Sequence, residues 1–394
     1  MCMVLSMYVG YPSRFEAYGA VKIYELSKVQ VLLGVGGSSK PGLYGIANFD
    51  EFIRTAESTA IVVPTRDEDP MVLEGVLRAV PIYSPLIVVS ASTQKPLNVY
   101  GMEMDIAKTL YRVTGRPTIV IHQRDPVLAD ILKDSIPNII DEDGLIHYGK
   151  GEALLIATLV ADGIGVENIG FIDADNYIPG AVTEYTLIYY TVLRMAESDY
   201  KMVRVSWGYK AYGSVEFYLR KTGKASQIVN SVLNKVLSFR RRIETEIIKT
   251  SNSGEHAMSM KLAKELTYAG GYAVETQELV SILEMCYIDV DTGRCPSLPH
   301  SIEIYQVESR NPHIHSEKGE THVVEMIIDS LSTIYHSKLG SDSKSRSHMI
   351  SILRELAYES EPPLPQVYRY PDINARAFMD RLLSESRLCV AYGL

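Results

Sequence analysis

The chain has 394 residues, 46% of them apolar, and a formal net charge of −9 at pH 7. This length and apolar content predict two or three structural units with a substantial core. The acidic balance argues against a nucleic-acid partner. No apolar run approaches the roughly 20 residues of a membrane span, and the first ten residues lack the basic start of a signal peptide. We therefore expect a soluble, cytoplasmic protein.

The four cysteines form neither a CxxC pair nor a metal-binding spacing. Such isolated cysteines are typical of a reducing compartment. A disulfide between Cys286 and Cys295 is left open, because the sequence does not supply the geometry that a bridge needs.

Regular patterns begin at Thr59. The first 58 residues look irregular, and their glycine-rich segment 33–39 lacks the Lys-Ser/Thr ending of a P-loop, so we interpret it as a flexible loop. After residue 59, β-branched runs alternate with helical patterns. The predicted strands are 60–63, 86–89, 118–122 and 168–172; the predicted helices are a stretch ending at Val80, then 103–112, 151–162, 321–337, 345–358 and 373–384.

Buried strands that alternate with helices predict an α/β fold with a mostly parallel, doubly wound sheet. We divide the chain into an N-terminal extension (1–58), an α/β domain (59–320) and a helical C-terminal region (321–394) that packs on the core. No internal repeat or low-complexity tract interrupts this order.

Two acidic residues follow the fourth predicted strand. Asp173 and Asp175 are one residue apart, so their side chains point to the same side of an extended chain. Two carboxylates there repel each other unless a cation lies between them, and hard divalent ions choose oxygen ligands. Ligands of open α/β sheets also bind at this end of the strands. Alone, the motif favours a solvated turn; with its surroundings, it predicts a metal-assisted site for a phosphorylated ligand.

Polar segments follow the other predicted strands at 64–68, 90–92 and 122–125. Each alone is typical of a helix cap or turn. Because parallel strands end at the same edge of a sheet, the three together predict the mouth of a nucleotide cleft. Lys150 stands between two glycines at a helix start and is a candidate phosphate contact, since helix N-termini favour anions. A surface turn is the alternative.

A second metal-type feature is the pair His313 and His315. The preceding Asn-Pro step favours an extended chain, which places both imidazoles on one side. We expect at least one of them to bind a metal ion. The alternative is two surface histidines.

Residues 251–256 combine small hydroxyl, amide and glycine residues before a helical stretch. Such a segment leaves backbone N–H groups for an anion, although plain helix capping explains it equally well. We therefore propose a candidate binding site for a second anionic substrate at Asn252, Ser253 and Gly254. Arg204, near the end of a strand-like segment, either assists there or is simply exposed.

Five segments together resemble the mannosyl-3-phosphoglycerate synthase family: 63–68, 149–152, 171–182, 254–258 and 311–315. The resemblance implies a GT-A fold with residues 59–320 as its catalytic domain. It implies a retaining glycosyltransferase that moves mannose from GDP-mannose to D-3-phosphoglycerate, giving the precursor of the compatible solute mannosylglycerate, which is made largely by thermophiles. A divalent cation is also implied, Mg²⁺ or another such as Mn²⁺, Co²⁺ or Zn²⁺.

The resemblance also assigns roles to individual residues. Asp175 becomes a metal ligand and Asp173 lies nearer the sugar or ribose; His315, or else His313, completes the metal site. Retention is expected to proceed by front-side attack without a covalent intermediate. The remaining roles are guanosine contacts, a phosphate contact and acceptor contacts, given respectively to Pro64, Glu68 and Ser90, to Lys150, and to Asn252, Ser253 and Gly254.

Other functions fit less well. A haloacid-dehalogenase-type phosphatase has its Asp-x-Asp on the first strand, followed by Thr or Val, whereas Asn176 follows here. A sugar-nucleotide pyrophosphorylase needs a glycine-rich basic loop after the first strand, where this chain has 64–68. The sequence does not separate the main hypothesis from a glucosyl-3-phosphoglycerate synthase or from a non-catalytic module that binds a nucleotide sugar. A homodimer is a further expectation.

Overall fold

The computed structural model describes residues 3–9, 12–27, 29–35, 46–47, 49–212, 218–220, 223–293, 295–296, 300–315 and 319–394. Its strands are β1 (Met3–Val9), β2 (Arg14–Tyr18), β3 (Val21–Leu26), β4 (Val29–Val35), β5 (Ile46–Ala47), β6 (Thr59–Thr65), β7 (Leu86–Ser90), β8 (Thr118–His122), β9 (Asn168–Phe171), β10 (Lys201–Trp207), β11 (Lys210–Tyr212), β12 (Tyr218–Arg220), β13 (His256–Ser259), β14 (Thr267–Ala269), β15 (Ile302–Ser309), β16 (Val367–Arg369) and β17 (Cys389–Tyr392). Its helices are α1 (Phe49–Glu57), α2 (Pro70–Ala79), α3 (Val99–Thr114), α4 (Pro126–Leu132), α5 (Lys150–Ile164), α6 (Pro179–Met195), α7 (Lys224–Arg241), α8 (Met260–Ala263), α9 (Val274–Leu283), α10 (Gly319–His336), α11 (Ser343–Glu355) and α12 (Ala375–Glu385).

Ten strands of the described chain form one mixed sheet, in the order β17-β8-β7-β6-β9-β13-β10-β15-β3-β2. The strands β8, β7, β6 and β9 are parallel neighbours, and so are β10, β15 and β3. Because β13 is antiparallel to both β9 and β10, the two parallel groups point in the same direction. The predicted α/β class with a mostly parallel sheet is therefore confirmed.

Helices cover both faces of this sheet, which is why its central strands are continuous apolar runs. One core packs the sheet against α1, α2, α3 and α6, and the other against α5, α7 and α9–α12. Helix starts follow the local sequence: Asp69 caps α2 and Asp125 caps α4, each carboxylate accepting a backbone N–H at 2.8 Å before a proline at the first helical position.

The N-terminal segment differs from its prediction. Residues 1–58 are not irregular where they are described: β2 and β3 form a hairpin at one edge of the large sheet, and β1, β4 and β5 form a separate sheet. The hairpin turn needs Gly19, whose φ is +56° and whose added Cβ would lie 2.3 Å from the carbonyl oxygen of Cys286. Most of the glycine-rich segment, residues 36–39, lies outside the described residues. The division at residues 59 and 320 stays a prediction.

The C-terminal region contains the three predicted helices as α10, α11 and α12. It is not wholly helical, however, because β17 pairs with β8 and completes the other edge of the large sheet. Cys286 and Cys295, the pair that the sequence left open, form a disulfide. Within the described ranges, no helix has both the length and the apolar character needed to cross a bilayer.

Candidate active site

A cleft of about 860 Å³ opens where β6, β7, β8, β9, β10 and β15 end. We call this side of the sheet the carboxyl edge. The antiparallel strand β13 begins at the same edge, so the turn before it, residues 250–255, also faces the cleft. The chain order alone therefore brings together the segment after β6, the Asp-x-Asp after β9 and the histidines after β15.

Both carboxylates of the Asp-x-Asp line the cleft. The turn that carries them is fixed by Asn176, whose amide donates to the carbonyl oxygen of Asp173 at 3.1 Å and to the buried carboxylate of Glu255 at 3.1 Å. Gly254 packs against this turn so closely that an added Cβ would lie 2.2 Å from Oδ2 of Asp173. The 9% exposure of Asp175 shows that little of this residue reaches solvent.

Lys150 begins α5 and lies between two carboxylates. Its Nζ is 2.5 Å from Oδ1 of Asp173 and 2.7 Å from Oε1 of Glu275. Burial acts against the charged ammonium, but the two carboxylates outweigh it and raise the pKa of Lys150 well above its ordinary value. A permanent positive charge therefore faces the cleft beside the first aspartate.

The two histidines have different surroundings. His313 is 3% exposed, stacks on Trp207 with ring centroids 4.4 Å apart, and has Nδ1 3.3 Å from the hydroxyl of Tyr185. The side chain of His315 is 28% exposed, and its Nδ1 lies 3.9 Å from Oδ2 of Asp175. The geometry thus pairs His315, rather than His313, with the second aspartate.

A divalent cation fits this pair. No group of three or more His, Cys, Asp or Glu side chains is preassembled for a metal in the described part of the chain. A carboxylate oxygen and an imidazole nitrogen separated by 3.9 Å can nevertheless bind one ion, because each metal–ligand bond is about 2.1 Å long. The remaining ligands would then come from water or from the substrate, as at many catalytic sites.

Pro64, near the end of β6, and Glu68, in the segment after it, line the cleft as expected, together with Arg66 and Asp67. Asp67 has a positive φ of 54° and is held by Thr93, whose N–H and hydroxyl donate to its carboxylate at 2.7 and 2.9 Å. The strained backbone is thus fixed by the neighbouring loop rather than left to the substrate.

Ser90, a predicted guanosine contact, is fully buried, and the cleft wall at β7 is formed by residues on either side of it. Its hydroxyl accepts the N–H of Ser92 at 3.1 Å. The hydroxyls of Ser92 and Thr65 donate to the carboxyl of Glu103, at 2.6 and 3.2 Å. Burial raises the pKa of Glu103 despite these hydrogen bonds. Ser90 therefore belongs to a buried network beneath the cleft, a role that its position in the sequence did not reveal.

The predicted acceptor residues separate into two groups. Asn252 and Gly254 line the cleft. Ser253 is 1% exposed and its hydroxyl is directed to the carbonyl oxygens of Val205 and Glu255. This side chain therefore faces the interior.

Direct acceptor contact does not fit Arg204, which is fully buried. Its guanidinium donates to the carbonyl oxygens of Thr250, Ser251 and Glu275 and, at 2.8 Å, to the carboxylate of Glu278. The reason is topological: Arg204 lies in the middle of the sheet on β10, opposite His256 of β13.

Further residues at the cleft were missed by the sequence reading. Glu275 binds Lys150 from α9, and Lys224 and Ser226 line the cleft from the start of α7. A signal for the second pair was present, because Gly223-Lys224 at a helix start repeats the Gly149-Lys150 pattern. Nothing local distinguished Glu275 from an ordinary helical glutamate.

Comparison with known proteins shows which family the chain belongs to. Residues 11–382 match the family model described as mannosyl-3-phosphoglycerate synthase (osmo_MPGsynth). The chain belongs to the mannosyl-3-phosphoglycerate synthase family. Mannosyl-3-phosphoglycerate synthase from Aeropyrum pernix is 41% identical over 382 residues, and that from Pyrococcus furiosus is 39% identical over 388; each alignment covers 96% of this chain and 98% of the relative.

Membership of this family confirms the resemblance seen in the sequence and the glycosyltransferase class that it implied. Solved structures of glucosyl-3-phosphoglycerate synthase from Mycobacterium tuberculosis are more distant. The complex with phosphoglyceric acid is 19% identical, with a TM-score of 0.47, and covers 72% of this chain and 81% of that one. The complex with Mn²⁺, UDP-glucose and glycerol 3-phosphate is 18% identical, with a TM-score of 0.48, and covers 76% and 86%.

Proposed function

We propose that this enzyme transfers mannose from GDP-mannose to the hydroxyl of D-3-phosphoglycerate with retention of the anomeric configuration. The observation that supports this most strongly is the convergence of Asp173, Asp175, Lys150 and His315 on one cleft at the carboxyl edge. A sugar diphosphate needs such a combination of cation, carboxylates and metal ligands. Two relatives that are 39–41% identical over nearly their whole length are both named mannosyl-3-phosphoglycerate synthase.

The donor would lie along the ends of β6 and β9. Pro64 and Glu68 would contact the guanosine, because the carboxylate of Glu68 can accept the N–H groups that guanine presents. Asp173 would lie by the sugar or ribose. The ammonium of Lys150 would stabilise the negative charge that the departing β-phosphate develops, an effect that is largest in a cleft shielded from water.

Asp175 and His315 would hold the divalent cation, which we propose to be Mg²⁺, with Mn²⁺, Co²⁺ or Zn²⁺ as substitutes. When bound, the ion supplies Lewis-acid stabilisation of the diphosphate leaving group. His313 would not be a ligand, since its ring is stacked on Trp207 and its Nδ1 faces the hydroxyl of Tyr185.

The acceptor would lie between two segments that can bind anions. Asn252 and Gly254 form one of them. The other is the start of α7, an 18-residue helix without a side-chain cap, with Lys224 at its first position. The hydroxyl of Ser226, a residue only 8% exposed, lines the cleft there and bonds to no described residue. Phosphate or carboxylate groups of 3-phosphoglycerate fit such a helix N-terminus.

Retention would proceed by attack from the face that GDP leaves. The bond between C1 of mannose and the β-phosphate oxygen breaks, the bond from C1 to the acceptor oxygen forms, and the acceptor's proton passes to the departing phosphate. Asp173 and Glu275 are poorly suited to act as covalent nucleophiles, because both are ion-paired with Lys150.

The test is to incubate the protein with 3-phosphoglycerate, Mg²⁺ and, in turn, GDP-mannose, GDP-glucose and UDP-glucose. We expect GDP release and an α-mannosyl product, identified by NMR, from GDP-mannose alone. GDP-mannose that binds without turnover would indicate a binding module instead, and a glucosylated product would indicate a glucosyl-3-phosphoglycerate synthase. Absence of any glycosylated product with all three donors would overturn the proposal.

Asp175→Ala should lower kcat by at least about 10²-fold, because the metal loses its carboxylate ligand. The matched control is Asp143→Ala, since the Asp143 side chain is 79% exposed and is not part of the cleft wall. Circular dichroism checks that both variants are folded. Near-normal turnover in Asp175→Ala would remove this residue from the metal site.

A further inference from the structure

The segment that carries both histidines is anchored at its start by one carboxylate. We call residues 310–315 the histidine loop. Oε1 of Glu184 accepts the backbone N–H of Arg310 at 2.7 Å, and Oε2 accepts the backbone N–H and the side-chain amide of Asn311, both at 2.8 Å. Three donors on one ionised group make a stronger attachment than neutral hydrogen bonds do.

The rest of the histidine loop is held by backbone contacts. The N–H of His313 donates to the carbonyl oxygen of Tyr209 at 2.8 Å, and the N–H of Tyr177 donates to the carbonyl oxygen of Ile314 at 2.8 Å. The loop thus lies between the segment after β10 and the segment that follows Asp175.

Glu184 is placed to couple the two halves of the proposed metal site. It lies on α6, the helix that begins four residues after Asp175, and the next residue on that helix, Tyr185, faces Nδ1 of His313. A single helix therefore begins shortly after one proposed ligand, Asp175, and binds the loop that carries the other, His315. Glu184 itself is not part of the cleft wall, and its hydrogen bonds connect it to the start of the histidine loop.

We propose that Glu184 is a positioning residue for the metal site, which holds the histidine loop so that His315 stays opposite Asp175. The inference rests on the proposed function, because it requires that this pair binds a divalent cation. Groups that orient metal ligands are typically worth about 10-fold to 100-fold in metal affinity. Loss of the three hydrogen bonds should therefore weaken metal binding without removing a ligand.

The chain provides its own local reporter. Trp207 is the only tryptophan in the sequence and stacks on His313. Mn²⁺ is paramagnetic and quenches nearby fluorophores, so tryptophan fluorescence reports binding at this site, and the EPR signal of free Mn²⁺ measures the amount bound. Both titrations are made with the full chain and Mn²⁺ in the presence of saturating GDP.

We expect Glu184→Ala to raise the Kd for Mn²⁺ by about 10-fold or more. Glu184→Gln should give a smaller rise, because it keeps one acceptor oxygen but turns an NH₂ group toward a backbone N–H. The matched control is Arg194→Ala on the same helix, which loses an exposed ion pair with Glu51 at 2.9 Å. Its Kd should equal that of the wild type.

Steady-state kinetics separate positioning from a general structural role. Saturating Mn²⁺ should restore kcat of Glu184→Ala to within about 3-fold of the wild type, since the ligands remain. A kcat that stays low at every Mn²⁺ concentration would contradict positioning.

The outcomes also separate this inference from the proposed function. If the wild type binds no Mn²⁺, or Asp175→Ala binds it as well as the wild type, the metal site itself is wrong. If Asp175→Ala loses binding while Glu184→Ala keeps the wild-type Kd, only the role of Glu184 is overturned. Should Glu184→Ala fail to fold, an unchanged Kd in Glu184→Gln overturns it equally.

Discussion

The two halves of the cleft are supported by different chemistry. On the side that we propose for the nucleotide, the nucleotide half, the loops after β6 and β7 rest on hydroxyl groups and on Glu103, a buried carboxyl whose pKa is raised. On the side that we propose for the acceptor, the acceptor half, the turn before β13 rests on fully buried side chains, because Glu278 binds both Arg204 and His256.

The difference follows from the backbone carbonyl groups that each loop directs to the interior. Four carbonyl oxygens of the acceptor-side turn accept hydrogen bonds from buried donors: those of Thr250 and Ser251 from Arg204, and those of residues 253 and 254 from His256. Carbonyl groups held inside do not face an anionic acceptor. The loops after β6 and β7 are short connections from strand to helix, and the hydroxyl groups of Thr65, Ser90 and Ser92 hold them.

Lys150 lies in the cleft between Asp173 and Glu275, and its removal should have the largest effect. Lys150→Met leaves Asp173 and Glu275 without their shared cation and deprives the leaving phosphate of a positive charge. We expect kcat to fall by about 10²–10³-fold in a GDP-release assay. Lys150→Arg, which keeps the charge, should retain more activity. Turnover of Lys150→Met within threefold of the wild type would contradict the role of Lys150 in stabilising the leaving phosphate.

The acceptor half should be the more sensitive to loss of a buried charge. Glu278→Gln leaves the buried guanidinium of Arg204 without its counter-charge and should lower the free energy of unfolding by about 3–5 kcal/mol, measured by chemical denaturation. The comparison variant is Glu74→Gln, which breaks a surface pair with Arg78 and should cost less than about 1 kcal/mol. Similar costs for the two variants would contradict the distinction.

The smallest effect is the pH dependence of the free energy of unfolding, and its sign differs between the two halves. Burial alone would raise the pKa of Glu278, yet His256 and Arg204 hold it below its ordinary value, so its stabilising contribution is lost as pH falls through that lowered pKa. The pKa of Glu103 is raised, so its contribution is lost as pH rises from the ordinary glutamate range through the raised value.

Unfolding free energies measured from about pH 2 to about pH 8 check these signs, because the lowered pKa of Glu278 lies below the ordinary glutamate range. Glu103→Gln should flatten the wild-type decline on the alkaline side, because the amide does not ionise. Glu278→Gln should flatten the decline on the acid side. The same side flattened in both variants would be inconsistent with the two opposite pKa shifts.

The sequence predicted that Pro64, Glu68 and the Asp-x-Asp lie together, and they line one cleft, because the signals of these segments are local; Ser90, by contrast, is buried beneath the cleft. Apolar runs such as 118–122 and the Asp-x-Asp directly after a strand need only neighbouring residues to be read. The acceptor half depends on distant partners. In the sequence, Arg204 looked like a residue near a strand end, and no neighbouring residue indicated that it pairs with Glu278. The hairpin of β2 and β3 was missed for the same reason, since its sheet neighbour is β15, far along the chain.

The large sheet has one more property. Its two outer edges are formed by segments from opposite ends of the described chain, β2 on one side and β17 on the other. Val21 pairs with Ile302, and Cys389 pairs with Ile121. Contacts so distant in sequence make folding slow. During synthesis on the ribosome, β8 would wait as an unpaired apolar edge until residues 389–392 emerge, and unpaired edges are templates for aggregation. Removal of these four residues would leave that edge exposed in the finished protein as well.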